Sequence, residues 1–322
     1  MSGVQQVLLS NARWKRWEPI VWVLPVVVLS LFPSQAFLMN QIAVMALFAV
    51  SLDLILGYTG IMSLGHAAFF GLGAFSAALF AKFVAPDPLL GLVVALVLSG
   101  LVGALCSLTV MRGTELTIVM VTLGVSLVFL EIANNMTWLT GGADGLQGVV
   151  VGPVLGLFSF GIDGMTAAYY SLAVLLVFFL LVRRLVNSPF GVGLKAIRDN
   201  RLRASAIGIF PESRIIVVYT ISAAIAGVAG AVLAQCMSFA SLDIFAFDRS
   251  ADVLLMVVIG GVGWLYGGII GAVVFSSMHQ VLSDLTPEYW MFWLGIFLVA
   301  LMRVGRDRFI RPWTLFRRHG HE

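Results

Sequence analysis

Long apolar runs recur along nearly the whole chain and leave little room for a soluble core. Of the 322 residues, 60% are hydrophobic and only 11% are charged. About 20 apolar residues span a bilayer as one helix, and in lipid every backbone N–H and C=O group must be bonded within the protein. We therefore expect an all-α polytopic membrane protein with about ten transmembrane helices, some of them discontinuous, and no separate soluble domain.

The apolar runs also place the helix boundaries. The weakest run, 251–262, is too short to span a bilayer unaided, so we expect a half-helix or a span that extends back toward Phe245. With that run included, the candidate spans are 19–32, 36–56, 66–84, 89–111, 116–134, 167–182, 215–236, 251–262, 265–282 and 289–302.

The basic residues indicate how the spans are oriented, because cytoplasmic flanks of membrane helices carry an excess of Lys and Arg. If the N terminus is cytoplasmic, alternation leaves only Lys82 and Arg249 of the nineteen basic residues outside cytoplasmic segments. This bias accounts for the net charge of +3 without a nucleic-acid partner. We predict a cytoplasmic N-terminal segment (1–18), a transmembrane domain (19–304) and a basic cytoplasmic tail (305–322).

The first apolar run has a second interpretation, as a secretory signal with a cleavage site near 34–36. Another apolar run follows almost at once, as in a retained anchor, so we expect the first helix to remain uncleaved.

The sequence contains no pattern for nucleotide or metal chemistry. None of the three lysines lies in a Gly-x-x-x-x-Gly-Lys-Ser/Thr phosphate-binding loop. Cys106 and Cys236 lie far apart in apolar runs, which suits small buried hydrophobic residues better than zinc ligands. We assign no role to the histidines of the terminal His-Gly-His-Glu. The chain is predicted to be no enzyme and to bind neither metal nor cofactor.

Two longer polar connections remain. Residues 136–164 are rich in glycine and carry Asp144 and Asp163 without a basic residue, so we place them outside as a candidate surface for an external partner. Residues 187–213 lie inside and carry several basic residues. Here 191–207 are predicted to form one short helix, which Ser188 caps, Pro189 begins and Gly208 ends.

This inner helix has two interpretations. Its apolar stripe is narrow and interrupted, and a basic helix of this kind can lie against anionic lipid. Alternatively, it docks into a partner, since Ala204, Ala206 and Gly208 permit close backbone approach, and a helix joined to spans at both ends can transmit motion into the membrane.

Four motifs resemble a known family. The run Ser188-Pro-Phe-Gly-x-x-Leu-Lys-Ala-Ile-Arg-Asp-Asn200 is similar to the cytoplasmic coupling loop of ABC-transporter permeases of the branched-chain amino acid (LivH/LivM) family, and is closest to the LivM type. Three further runs resemble that family: Gly57-Tyr-Thr-Gly-Ile-Met-Ser-Leu-Gly-His-Ala-Ala-Phe-Phe-Gly-Leu-Gly73, Thr140-Gly-Gly-Ala-Asp-Gly-Leu146 and Met256-Val-Val-Ile-Gly-Gly-Val-Gly263. The family commonly has an acidic residue where this chain has Arg201, so the charge pairing with an ATPase differs here.

The resemblance implies a permease of the bacterial inner membrane, with both termini cytoplasmic. Its implied partners are two ABC ATPase subunits, a second homologous permease subunit, a periplasmic solute-binding protein and membrane lipid. The implied ATPase-coupling residues are Gly191, Leu194, Ile197, Arg198, Asp199, Asn200, Ala204, Ala206 and Gly208. The implied docking surface for the binding protein comprises Thr140, Gly141, Gly142, Asp144 and Gly145.

Glycine-rich interruptions within the apolar runs indicate a transport pathway. Unwound backbone at membrane depth is tolerated only where it is buried in protein or lines a cavity. A second interruption around 260–268 makes a pair, which is typical of a site between two halves of a transporter. Close helix packing is the alternative reading for Gly71 and Gly73. The candidate pathway residues are Asp53, Gly57, Thr59, Gly60, Ser63, Gly65 and His66.

Two other classes remain open. Ionisable residues within spans are expensive in hydrocarbon and would suit an ion-coupled secondary carrier; they are Asp53, His66, Glu115, Glu131 and Asp252. A structural or receptor-like membrane subunit is the third class. We expect a permease subunit of an ATP-driven ABC importer for branched-chain or related small amino acids or amides, with the ion-coupled carrier as the alternative.

Overall fold

The computed structural model describes residues 18–110, 113, 115–161 and 163–304. The predictions for 1–17, Arg112 and the tail 305–322 fall outside the described residues. The helices of more than four residues in chain order are α1 (Glu18–Leu31), α2 (Ala36–Thr59), α3 (His66–Phe83), α4 (Pro88–Val110), α5 (Glu115–Asn135), α6 (Met165–Val186), α7 (Pro189–Asp199), α8 (Arg201–Ala206), α9 (Pro211–Met237), α10 (Phe247–Gly260), α11 (Gly267–Leu285) and α12 (Trp290–Val304).

Every predicted apolar run forms a helix, which confirms the all-α membrane architecture. Seven helices of the described chain are long and apolar enough to cross a membrane. The other three runs form shorter helices, with 14 residues in α1, 14 in α10 and 15 in α12, so the predicted count of about ten spans is not confirmed. The short run 251–262 is part of a helix that begins earlier in the chain, as expected, because α10 starts at Phe247.

Residues with special backbone chemistry fix several helix ends. Pro189 and Pro211 occupy first-turn positions, where their missing N–H has no helical partner to lose. Asp87 caps α4 by accepting hydrogen bonds from the backbone N–H groups of Leu89 and Leu90, at 2.9 and 3.3 Å. Gly60 ends α2 in the left-handed conformation, with φ of 75°.

Helix α9 lies at the centre of the bundle and packs against α2, α3 and α4. Glycines make this packing close. A Cβ atom on Gly73 would collide with the backbone of Gly227, and one on Gly230 would collide with the backbone of Phe70. Gly71 faces the ring of Phe245 in the same way. Close packing is therefore the role of Gly71 and Gly73, as small residues allow in membrane helices.

Contacts between connections define the two ends of the bundle. At one end, here called the loop end, Gly152 N–H bonds Pro86 O at 2.6 Å and Leu146 pairs with Ala240. At the other end, here called the α7 end, α7 lies against α2 and α9. The 136–164 connection therefore lies at the loop end, and the 187–213 connection lies at the α7 end.

Candidate functional site

The 187–213 connection contains two short helices instead of the single helix predicted over 191–207. Helix α7 ends at Asp199, and α8 begins at Arg201. Asn200 separates them because its backbone is extended and its side-chain Oδ1 accepts a hydrogen bond from Arg203 N–H at 2.9 Å. The prediction of one helix was wrong because Asn is also a strong N-cap residue.

The predicted cap at Ser188 is also wrong in detail. Pro189 begins α7 as expected, but the Ser188 hydroxyl donates to Leu185 O at 2.6 Å and makes no cap bond to α7. Gly208 lies beyond α8 with φ of 83°, a conformation that favours glycine.

The two short helices present their side chains differently. Leu194 and Ile197 of α7 are buried against the bundle, and Ala204 of α8 is only 1% exposed. Leu202, on α8, is 81% exposed. Other exposed residues in and after α8 include Arg201, Arg203, Ala206, Ile207, Gly208 and Phe210. Ala204 is therefore covered by this chain, while Ala206 and Gly208 stay accessible. We call Leu202, Ile207 and Phe210, with Arg201 and Arg203, the α8 surface.

Arg198 connects α7 to the carboxyl end of α2. Its Nη1 donates a hydrogen bond to the carbonyl oxygen of Gly57, in the last turn of α2. One turn earlier on α7, the Lys195 ammonium lies over the Tyr58 ring, 5.5 Å from its centroid. Cations near a helix carboxyl end are favourable because the free carbonyl groups there are partly negative.

The two glycine-rich interruptions meet at the same place. Asp53 Oδ1 accepts a hydrogen bond from Gly263 N–H at 2.7 Å. A Cβ atom on Gly57 would collide with the Asp53 carboxylate and with the backbone of Gly263. A Cβ atom on Gly263 would lie 2.8 Å from Arg198 Nη1. Glycine is therefore required here by close approach, and the last two turns of α2, which contain Asp53 and Gly57, touch the interruption after α10 directly.

The connection from α2 to α3 re-enters the bundle as irregular backbone. Gly65 packs against the backbone of Thr122 on α5, and Leu64 N–H bonds Thr122 Oγ1 at 3.2 Å. Ser250 on α10 accepts from Ala67 N–H at 3.0 Å, which satisfies one of the free N–H groups of the first turn of α3. Ser63 and Gly65 of this irregular backbone are thus buried in protein, whereas Gly60 and Met62 are exposed.

His66 is fully buried at the start of α3. Its Nε2 lies 3.0 Å from Ser222 Oγ on α9, and Ser222 in turn donates to the carbonyl oxygen of Ser51 on α2. The chain of contacts joins three core helices. The Nε2 atom thus has the polar partner expected of a structural buried histidine, whereas the buried Nδ1 atom has no hydrogen-bond partner among the described residues.

A cavity of about 670 Å³ opens between the first interruption and the two short helices. Thr59, Gly60 and Met62 line one wall, and residues 197–202 line the opposite wall. Asp53, Ser63 and His66 do not line it and lie in the protein interior. The predicted pathway residues are thus divided between the cavity wall and the core.

A buried ion pair holds α1 at the α7 end. Arg183 near the end of α6 donates to the Glu18 carboxylate, and both side chains are largely buried. Beside this pair, the Phe179 ring contacts Trp22 edge-on and Tyr266 at a tilt, with centroid distances of 5.0 and 4.8 Å. The turn after α10 is therefore contacted by α1, α2 and α7.

The predicted docking residues form a compact turn at the loop end. Thr140 is buried, donates to Ala133 O at 2.6 Å and accepts from Gly142 N–H at 3.2 Å. Three glycines of this turn have positive φ: Gly141, Gly142 and Gly145. Asp144 is exposed at its surface. Of the predicted docking residues, Thr140 and the glycines shape the turn, and Asp144 presents a charge.

Several functional contacts were not identified from the sequence. Gly263 belongs to a recognised glycine cluster, but no pattern pairs it with Asp53. Ser222 and Thr122 lie in apolar runs, and no sequence motif marks either residue as part of a polar contact. Arg183 counts among the basic residues of the cytoplasmic segments, and no sequence pattern marks Glu18 as its partner. Each contact joins residues that are distant in sequence, so only the packing of helices reveals it.

Comparisons with known proteins agree with this architecture. Residues 34–302 match the family described as branched-chain amino acid transport system / permease component. The high-affinity branched-chain amino acid transport system permease proteins LivM of Salmonella typhimurium and Escherichia coli are each 30% identical over 83% of this chain and 68% of their own. The galactofuranose transporter permease protein YtfT of Escherichia coli is 26% identical over 87% of this chain and 82% of its own. No solved structure shows significant similarity.

The family match covers most of the chain and includes both glycine-rich interruptions, the two short helices and the turn at the loop end. The resemblance to the LivM type is thereby confirmed. The chain belongs to the family of branched-chain amino acid transport system permease components.

Proposed function

We propose that the chain is the transmembrane permease subunit of an ATP-driven ABC importer for branched-chain or related small amino acids or amides. The substrate class follows from the LivM relatives, whose names specify branched-chain amino acids and whose identity to this chain exceeds that of the galactofuranose permease. In this proposal the chain carries no ATPase activity. Its partners are two ATPase subunits, a second permease subunit and a periplasmic binding protein.

The contact between Arg198 and the Gly57 carbonyl is the observation that best supports this function. It joins a surface-exposed connection to the place where both helix interruptions meet. In the proposed mechanism, ATP binding closes the two ATPases against the α8 surface, α7 moves with it, and the contacts of α7 on α2 pass the motion to the interruptions. The pathway then changes the side to which it opens.

The proposal places the chain in the bacterial inner membrane with the α7 end and both termini in the cytoplasm. The excess of basic residues on that side supports this orientation. Epitope tags at either terminus should be labelled only after the membrane is permeabilised. Labelling of intact spheroplasts at a terminal tag would contradict the orientation.

Reconstitution tests the transport function. Proteoliposomes that contain the permease pair, the ATPases and the binding protein should accumulate labelled leucine only when ATP is present on the ATPase side. Omission of the ATPases should abolish uptake even under a proton or sodium gradient. Accumulation by the permease alone under an ion gradient would instead establish the secondary carrier.

Co-purification tests the partner contact. Because Leu202 is 81% exposed, L202D should disrupt ATPase binding without disturbing the core. Ala204 is unsuited to this test because it is covered within the chain. S213D is the matched control, since it adds the same charge in the exposed first turn of α9, where the helix amino end favours an anion. Retention of the ATPase by L202D would exclude the α8 surface as its docking site.

A further inference from the structure

The connection at the loop end contains a long uncharged stretch. No residue between Asp144 and Asp163 carries a charge, and nine of these residues are Val, Leu, Ile or Phe within 149–162. A connection that runs through water usually displays polar turn residues, because its backbone and side chains are hydrated. Its described residues, 145–161, contain neither a long helix nor a strand, so they form no further transmembrane span.

The stretch folds into a small hairpin whose exposed side chains are apolar. Val154 and Phe158 exchange two backbone hydrogen bonds, Val154 N–H to Phe158 O at 2.8 Å and Phe158 N–H to Val154 O at 3.1 Å. At the turn, the side chains of Leu155, Leu157 and Phe158 are 70%, 78% and 60% exposed. The protein itself therefore does not cover the tip of this hairpin.

The backbone of the turn makes the choice of leucine unusual. Leu155 has φ of 55°, in the left-handed region. That conformation costs roughly 1–2 kcal/mol for a residue with a Cβ atom, and Gly, Asn or Asp normally occupies it. Turn chemistry in water would favour one of those residues. An apolar environment around the side chain supplies a reason for leucine at this position.

The hairpin lies at the level of the helix ends. Gly152 N–H bonds Pro86 O at 2.6 Å, and Lys82 Nζ donates to Gln147 O at 2.9 Å. Both partners belong to the corner between α3 and α4. Beside that corner, Phe83, Val84 and Leu90 are exposed apolar residues at the ends of α3 and α4, two helices long and apolar enough to cross a membrane. The apolar surface of the hairpin continues this apolar surface.

We propose that the 150–158 hairpin inserts into the interfacial layer of the leaflet at the loop end and is covered there by lipid. Lipid is favoured over a protein occupant because the exposed tip offers apolar side chains and no charged or hydroxyl group, whereas specific protein interfaces carry about one hydrogen bond per 100–200 Å². Apolar side chains placed at the boundary anchor a segment by burial in the acyl region. The exposed Asp144 turn then remains in water for a soluble partner.

Depth measurements by electron paramagnetic resonance test this placement. A nitroxide is attached to L157C, in a C106S/C236A background that removes both native cysteines, and the protein is studied in lipid nanodiscs. The probes are molecular oxygen, which concentrates in the bilayer, and a polar nickel chelate, which stays in water. We expect the ratio of oxygen to nickel accessibility at L157C to exceed that at D144C, the aqueous control, by several-fold.

Two results would overturn the proposal. Equal ratios at L157C and D144C would place the hairpin in water. Low accessibility to both probes at L157C, in the isolated chain or in the assembled transporter, would show that protein covers it. V150C provides a second site in the same stretch, so the measurement does not depend on one variant. Because the readout is depth and not uptake, it is independent of the transported substrate.

Discussion

The carboxylate of Asp53 in α2 accepts a hydrogen bond from the backbone N–H of Gly263, at 2.7 Å, although the two residues are 210 positions apart in the chain. One helical turn further along α2, the carbonyl oxygen of Gly57 accepts a hydrogen bond from the guanidinium group of Arg198, a residue of α7. The interruption after α10 and the short helix α7 therefore meet the same turn of α2, just before the interruption that follows Thr59. A displacement of α7 would act on both interruptions at once.

Replacing Asp53 tests the contact between α2 and the glycine-rich turn that follows α10. D53A should lower the thermal stability of the detergent-solubilised protein and reduce ATP-dependent uptake, because a partly buried N–H group without a partner costs about 1–3 kcal/mol. D53N should retain more of both, since its amide oxygen still accepts a hydrogen bond, although a weaker one than a carboxylate. Equal behaviour of D53A and the wild type would show that this contact has no role.

Replacing Arg198 tests transmission from α7. R198A removes the donor to Gly57 but leaves the α8 surface unchanged, so the ATPases should still co-purify. We expect ATP hydrolysis to continue while substrate uptake per ATP falls several-fold. R184A is the control, because Arg184 is an exposed residue at the same end of the bundle. If R198A and R184A have the same uptake per ATP, the motion of the ATPases is not passed to α2 through Arg198.

A methyl group at Gly57 tests the close approach of α2 to the glycine-rich turn that follows α10. G57A would place a Cβ atom against the Asp53 carboxylate and the Gly263 backbone, and overpacking of this kind costs about 1–3 kcal/mol or more. G124A is the matched control, because a Cβ atom there meets no atom within 4 Å. In thermal unfolding, G57A should lose stability, while G124A should gain up to about 1 kcal/mol from helix propensity.

The buried ion pair between Glu18 and Arg183 is open to a double-mutant cycle. E18Q or R183Q alone leaves one largely buried charge without its partner, which typically costs about 3–5 kcal/mol. The double variant E18Q/R183Q should recover a substantial part of that loss because neither charge remains. R184Q serves as the exposed control. Additive losses in the double variant would mean that the two side chains do not stabilise each other.

Reversal of charge at Asp144 tests the binding-protein surface. D144K changes an exposed side chain of the turn at the loop end, so the fold should be retained. We expect binding-protein-dependent uptake to fall at least several-fold and to recover partly at high salt, where charge repulsion is screened. D163K is the control, since Asp163 is an exposed aspartate of the same connection. Unchanged uptake by D144K would remove the assignment of docking to this turn.

The sequence was informative where a local pattern has one physical outcome. Apolar runs of about 20 residues specify membrane helices because lipid offers no hydrogen bonds to the backbone. Gly60 and Gly261 end α2 and α10, as glycines with positive φ commonly do. The four motifs identified the family, and the comparisons agree.

The sequence was less reliable where two local signals compete. Asn200 lies in a run of good helix formers, and the helix prediction disregarded its strength as a cap. Ala204 has a small side chain that suits close contact, but a small side chain does not reveal whether the contact is with a partner or within the chain. The structure places Ala204 inside and Leu202 outside.

By itself, the sequence determined which segments are helical, where irregular backbone interrupts them and to which family the chain belongs, because these properties depend on hydrophobicity, glycine and short motifs. Only the tertiary structure decided that Asp53 meets Gly263 and that Arg198 meets Gly57. Such pairs form when helices pack at a particular angle and register, which depends on the shape of every contacting side chain and leaves no signature near either residue.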